Sequence, residues 1–162
     1  MIDLPLSVAV GALIHNNKIL LLKRVKGDYT GFWAMPGGKI ERQEHVSTAA
    51  LREIFEETGI KATFKEHLGV ISELFYNDKK VHNHFLIHLC LLNPENLDLT
   101  PSKEGELAWF DLSTIGLYRD QIIHSDFLMI EAMIKRRGKN YYDCIMDRVD
   151  DKYILKKFTS PI

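Results

Sequence analysis

The chain has 162 residues, 46% of them hydrophobic and 27% charged, the balance of one globular domain able to bury a core. Its formal net charge is −1 and no basic block stands out, which excludes extended electrostatic binding of nucleic acid. The start of the chain lacks the pattern of a secretion signal, and no run approaches the roughly 20 apolar residues that span a bilayer, so a cytoplasmic protein without membrane partners is expected.

No repeat or low-complexity linker divides the sequence, and residues 1–162 read as a single domain. Residues 6–14 and 18–24 are two β-rich runs around His15-Asn16-Asn17, and asparagine's tolerance of positive φ predicts a hairpin there. Residues 26–38, rich in Gly and aromatics, read as a loop. The spacing predicts a helix over about 45–58, with Gly59 as the left-handed residue that ends it. Two more strands are expected at 63–75 and 81–92, joined by Asn77-Asp78-Lys79, and a short one at 107–112. Apolar residues Phe127, Ile130, Met133 and Ile134 recur at helical spacing over 126–137, with Ser125 or Asp126 as the cap and Gly138 as the stop. The tail alternates around Asp150-Asp151 and predicts a terminal hairpin. Interleaved strands and helices with tight turns favour a mixed sheet with helices on its faces.

The first long helix carries the chemical signal. At about 100° per residue, Glu53, Glu56 and Glu57 share one face, while Leu51 and Phe55 lie opposite with Ile54 at the edge as a core stripe. Ala49 and Ala50 flank the acidic face. Three clustered carboxylates repel one another and sit where the helix dipole disfavours anions. A hard divalent cation such as Mg²⁺, or Mn²⁺ in its place, resolves that conflict, although acidic surface runs also occur without one.

Residues 38–60 read GKIERQEHVSTAALREIFEETGI. Gly38, Glu44, Arg52, Glu53, Ile54, Glu56, Glu57, Gly59 and Ile60 match the signature of the Nudix hydrolase superfamily, and Trp33-Ala34-Met35-Pro36-Gly37-Gly38 resembles its MutT-like branch. The resemblance implies an α+β fold, an α/β/α sandwich with a mixed β-sheet, here with an extra C-terminal helix and hairpin. It implies a pyrophosphohydrolase that cleaves a phosphoanhydride bond in a nucleoside triphosphate or a related nucleoside-diphosphate derivative. Dinucleoside polyphosphates are alternative substrates, and a nucleotide sensor without turnover is the alternative from another class. By resemblance, Glu53, Glu56 and Glu57 hold Mg²⁺ with the carbonyl of Gly37 or Gly38. Glu44 and Arg52 orient the acidic set, and Glu53 or the loop residue Glu104 takes the proton from the attacking water.

Outside the box, Arg24 is the favoured phosphate grip, with Lys23 as the alternative. Gly38, Trp33, Tyr76 and Asp126 complete the expected substrate contacts. Trp33 could stack on a base or pack its loop. Tyr76 lies 16 residues after Ile60, close to the spacing in dinucleoside polyphosphate hydrolases of this superfamily. Asp126 could read a base edge, though capping the last helix is the simpler role. His82, His84 and His88 share a strand face with Cys90, a spacing that zinc could use but that no second cluster completes. Cys90 and Cys144 otherwise read as reduced, packed thiols. The expected partner is a small nucleotide-type substrate, with a homodimer open.

Overall fold

The structure, a computed structural model, describes residues 4–100 and 103–162. Among the described residues, nine strands form the sheet: β1 (Leu6–His15), β2 (Lys18–Arg24), β3 (Trp33–Ala34), β4 (Gly37–Lys39), β5 (Ala62–Asn77), β6 (Lys80–Pro94), β7 (Gly105–Asp111), β8 (Tyr141–Val149) and β9 (Lys152–Thr159). Helix α1 is Val46–Thr58. A 3₁₀ turn over Ile115–Gln121, unforeseen in the sequence, leads into α2 (His124–Met129), which widens into a π-helical segment, Ile130–Lys135.

The strand order is β3-β2-β1-β6-β5-β8-β9, with β4 added to β1 and β7 to β2. The pairs β1/β6 and β5/β8 are parallel and the others antiparallel, so the sheet is mixed. Three of its hairpins turn through two residues that both have positive φ: Asn16-Asn17, Asp78-Lys79 and Asp150-Asp151. That is the backbone whose twist matches the flanking strands, and Asn and Asp accept it at low cost.

One opening in this sheet positions everything that follows. Next to their turn β1 and β2 pair only at Ile14↔Ile19 and His15↔Lys18. Beyond it β1 takes β4 as partner at Val8–Val10, and β2 pairs along its whole length with β7. The loop between β2 and β4 fills the gap.

Alternation along β1 feeds two cores. Ala9 and Leu13 pack under α1 with Leu20, Ala49, Ala50, Ile54, Cys90 and Leu92. Val10 and Ala12 join the opposite core, with Ile71, Leu89, Phe127, Ile130 and Met133. The sheet is thus covered on both faces, as a sandwich requires.

Two expectations for α1 are corrected here. Its core stripe is Ala49, Ala50 and Ile54 with Leu51 partly buried against it, whereas Phe55 is 50% exposed. The alanines do not frame an open acidic face; they are what lets the helix lie close to β1, where a Cβ at Gly11 would come within 2.8 Å of Ile54. The helix end is as expected, with Gly59 at φ 76° donating its N–H to the Phe55 carbonyl. Among the described residues, no helix is long and apolar enough to cross a membrane.

Candidate active site

The C-terminal half of α1 faces the two glycines of β4. Glu57, 9% exposed, accepts the Gly37 N–H at 3.0 Å. A Cβ on Gly38 would lie 2.4 Å from Glu53 Oε1, so glycine lets the strand pass with this carboxylate left in place. Burial, reinforced by the charge of Glu53, pushes the Glu57 carboxyl up to about 8. Glu53 is also raised by burial, against the pull of Arg52.

Arg52 organises the rest of the acidic face. Its guanidinium makes paired bonds to Glu44, Nε to Oε1 at 2.7 Å and one terminal nitrogen to Oε2 at 3.0 Å. The other terminal nitrogen reaches Glu53 at 2.9 Å and Glu56 at 3.2 Å, and Lys39 offers its carbonyl at 3.2 Å. A planar fork against several carboxylates is the arrangement that arginine serves best. These bonds hold the Glu44 carboxyl down at about 2.

Among the described residues no three His, Cys, Asp or Glu side chains converge closely enough to hold a metal ion as they stand. Glu53 and Glu56 both turn toward Arg52, the positive charge within reach, and the two share one of its nitrogens. The expected three-carboxylate cage is therefore not preformed. The donor chemistry still suits a hard cation, because the helix side chains set against the glycine pair, Glu53 and Glu57, are both oxygen ligands. Glu53, Glu57 and the Gly37 carbonyl are the groups that would hold it, with Glu56 recruited by leaving Arg52.

Glu104 is exposed in the loop before β7, and its charge helps to raise Glu57. It therefore stands on the same side as the acidic helix. Arg24, at the end of β2, donates to the Asp28 carbonyl at 2.8 Å, and its charge acts on both Glu57 and Asp126. It links the acidic face to a neighbouring cavity.

That cavity, of about 190 Å³, has an apolar wall that includes Val8, Phe75, Phe85 and Ile87. Polar groups line the rest of it: Arg24, Asp28, Tyr29, Glu73, Ser125 and Asp126. Apolar walls with a few convergent polar groups are the usual build of a small-molecule site. Asp126, 7% exposed, accepts the Met35 N–H at 2.7 Å. Burial pushes its carboxyl up to about 6, against the pull of the Met35 bond and of Arg24. Glu73, 6% exposed, is pushed up to about 7 by burial and by the charge of Asp126.

Several expected contacts fall elsewhere. Asp126 does not cap its helix, which starts at His124 without a side-chain cap; the carboxylate is spent on Met35. Trp33 is 8% exposed, meets Phe110 edge-on at 5.0 Å and joins the core, which is the loop-packing alternative. Tyr76 follows a bulge in β5, and Phe75 rather than Tyr76 lines the cavity. Lys23 lies 5.9 Å over the Trp33 ring, so Arg24 is the residue that reaches the site. The histidine face carries no metal cluster among the described residues; His84 bonds Ser72, His88 bonds His67, and the His82 ring lies 6.1 Å from Phe75.

Tyr29, Glu73 and Ser125 were missed. Glu73 had a visible signal, since Ile71, Glu73 and Phe75 share one face of an alternating strand and put a carboxylate at a core position. Tyr29 had none, because its place depends on a loop conformation at φ 60°.

With this geometry in view, comparison with known proteins decides the family. The NUDIX domain model matches residues 5–129. The chain belongs to the NUDIX family. It is 36% identical over 111 residues to the ADP-ribose pyrophosphatase of Methanocaldococcus jannaschii, a match covering 67% of this chain and 64% of that protein. It is 34% identical over 84 residues to the 8-oxo-dGTP diphosphatase of Proteus vulgaris, covering 51% of this chain and 75% of that one. The chain thus spans less than two thirds of the first of these relatives. Among solved structures, a MutT protein from Bacillus halodurans superposes with a TM-score of 0.72 at 22% identity, covering 93% of this chain and 97% of its own. A NUDIX hydrolase from Nitrosomonas europaea gives 0.71 at 24%, covering 91% and 81%. These likenesses bear out the NUDIX fold expected from residues 38–60, and the C-terminal hairpin lies beyond the matched domain.

Proposed function

We propose that this NUDIX chain is a divalent-cation-dependent pyrophosphohydrolase acting on a nucleoside triphosphate or another nucleoside-diphosphate derivative. The observation that carries the reading is the position of Arg24, whose charge bears on Glu57 of the acidic helix and on Asp126 of the cavity. A phosphate chain gripped by Arg24 would lie along Glu53 and Glu57 while the group attached to it enters the apolar cavity. The activities of two relatives, an ADP-ribose pyrophosphatase and an 8-oxo-dGTP diphosphatase, share that pairing of diphosphate and nucleoside. Tyr76, which pointed to dinucleoside polyphosphates, does not line the cavity and lends them no support.

In this reading water attacks phosphorus, the bond to the leaving phosphate oxygen breaks, and a carboxylate takes the water's proton. Glu104, whose charge is felt at Glu57, and Glu53 on the acidic helix are the two candidates for that transfer. A bound Mg²⁺ would supply charge neutralisation on the phosphate oxygens, held by Glu53, Glu57 and the Gly37 carbonyl. Arg52 keeps the acidic set oriented.

The test is a panel of nucleoside triphosphates, nucleoside-diphosphate sugars and dinucleoside polyphosphates with Mg²⁺, with products separated chromatographically. Turnover should yield products of phosphoanhydride cleavage, stop with EDTA and fall by orders of magnitude in Glu57→Gln. Tight binding of nucleotides without any turnover would make the chain a sensor instead.

A further inference from the structure

The family match ends at residue 129, yet three residues of the later hairpin reach into the wall of the cavity. Tyr153 of β9 accepts the Tyr29 N–H on its hydroxyl at 2.9 Å, and the two rings stack at 3.9 Å between centroids, 24° apart. Arg148 of β8 lies over the Tyr153 ring and pairs with Asp28 at 3.6 Å. The Cys144 thiol lies 3.8 Å from Glu73 Oε1. Asp28, Tyr29 and Glu73 all line the cavity.

Tyr29 carries two unfavourable features at once. Its backbone sits at φ 60°, a region that glycine or asparagine enters more cheaply than a ring-bearing residue. Its hydroxyl oxygen is fully buried and finds no hydrogen-bond partner among the described residues. Buried hydroxyls are ordinarily satisfied. Glu73 and Asp126 face that hydroxyl closely enough for their charges to raise it further, beyond the effect of burial. The ring itself packs against Phe32, Phe75 and Tyr153, so it is the hydroxyl that packing leaves unexplained.

We propose that Tyr153 is a positioning residue for substrate selection: the C-terminal hairpin holds Tyr29 so that its hydroxyl, with the carboxyls of Glu73 and Asp126, meets a planar ring bearing N–H donors. The occupant is an amino-bearing nucleobase. The two carboxyls already receive the Met35 N–H, the Ser125 hydroxyl and the Cys144 thiol, but their oxygens have acceptor capacity beyond these, and such a ring brings donors for it; Tyr29 can donate to a ring nitrogen or carbonyl beside them. A ring presenting only acceptors to this floor would be disfavoured. This inference rests on the hydrolase reading for the identity of the site, and its test separates the two.

Steady-state kinetics of wild type, Tyr153→Phe, Tyr29→Phe and the double variant are measured with the four ribonucleoside triphosphates and with inorganic tripolyphosphate, which has no base. Tyr153→Phe keeps the stacked ring and loses only the oxygen that holds Tyr29. It should raise KM for the preferred amino-bearing nucleotide about 5- to 30-fold, narrow the preference over UTP, and leave kcat within about twofold. Its effect on tripolyphosphate should be negligible. In the Tyr29→Phe background the same change should add little, because its effect passes through the lost hydroxyl. Equal losses on all substrates, or an unchanged ranking in both single variants, would overturn the inference while leaving the hydrolase reading intact. If wild type turns over nothing, that reading fails, and nucleotide-induced shifts in Tm still decide this one: a shift lost in Tyr29→Phe supports it, and no shift in wild type overturns it.

Discussion

The Asp126 carboxylate and the Met35 N–H meet at 2.7 Å across 91 residues of sequence. This bond fastens the loop that leads into Gly37 and Gly38 to the start of α2, and so fixes the distance between the acidic helix and the cavity.

Asp126→Ala should therefore cost more than its place near a helix start suggests. It leaves the Met35 N–H buried without its acceptor, a loss of roughly 1–3 kcal/mol. Asp126→Asn keeps an acceptor for that N–H and should stay close to wild type in urea denaturation. It also replaces an acceptor with a donor at the cavity floor, so its ranking of nucleotides should change. Equal stability of the Ala and Asn variants would refute the role given to the Met35 bond.

Glu73 makes stability depend on pH. Its carboxyl rises from 4.5 to about 7 in the folded state, so the folded chain holds a proton that the unfolded chain has released. Stability from this group is fully present below about 4.5 and is lost as pH rises through about 7. Asp126 acts in the same sense, with its carboxyl raised to about 6. Glu73→Gln removes one contribution. The unfolding free energy of this variant minus that of wild type should rise between about pH 4.5 and 7 and then level off, by up to roughly 1.4 kcal/mol per pH unit within that window, because wild type loses this contribution there and the variant does not. A difference that is flat with pH would mean that Glu73 is not buried as described.

How far these sites could be read from sequence depends on the kind of interaction that places them. The Asn16-Asn17 and Asp150-Asp151 turns and the α1 boundary at Gly59 follow from local chemistry, and they are where the sequence puts them. The core face of α1 was misread because helical spacing does not say which side meets the sheet. Bulk suggested Leu51 and Phe55; Leu51 does pack partly buried against that core, but Phe55 is exposed, and close approach to β1 favoured Ala49 and Ala50. Asp126 was misread because a capping residue and a residue bonded to a distant N–H look alike in sequence. Tyr29 and Tyr153 meet across 124 residues, and no local pattern announces such a pair.

The two glycines of β4 make opposite demands. A Cβ at Gly37 would lie 2.4 Å from the Ala9 carbonyl oxygen and 2.7 Å from the Val10 Cα, backbone atoms that cannot step aside. Gly37→Ala should destabilise the fold by about 1–3 kcal/mol or more, with a lower Tm. At Gly38 the clash is with the Glu53 carboxylate, the far end of a flexible side chain. Gly38→Ala should keep most of its stability but lose activity and need more Mg²⁺, because Glu53 is displaced. The reverse pattern, a stable Gly37→Ala and a fully active Gly38→Ala, would contradict the packing of β4 on α1.

The proton acceptor can be assigned by comparing Glu104 with Glu53. Glu53 accepts a hydrogen bond from Arg52 at 2.9 Å and is one of the groups that would hold the metal, so its oxygens are engaged before water arrives, even though burial raises its carboxyl. Glu104 is exposed, and its charge is felt at Glu57 across the same opening. Glu104→Gln should lower kcat by about 10²- to 10⁴-fold with little change in KM, since proton transfer belongs to the transition state. Glu53→Gln should lower kcat as well, but with a raised Mg²⁺ requirement that Glu104→Gln does not share. A titration of activity against Mg²⁺ for both variants distinguishes them. Wild-type kcat in Glu104→Gln would return the base to Glu53 and leave the loop carboxylate a surface residue.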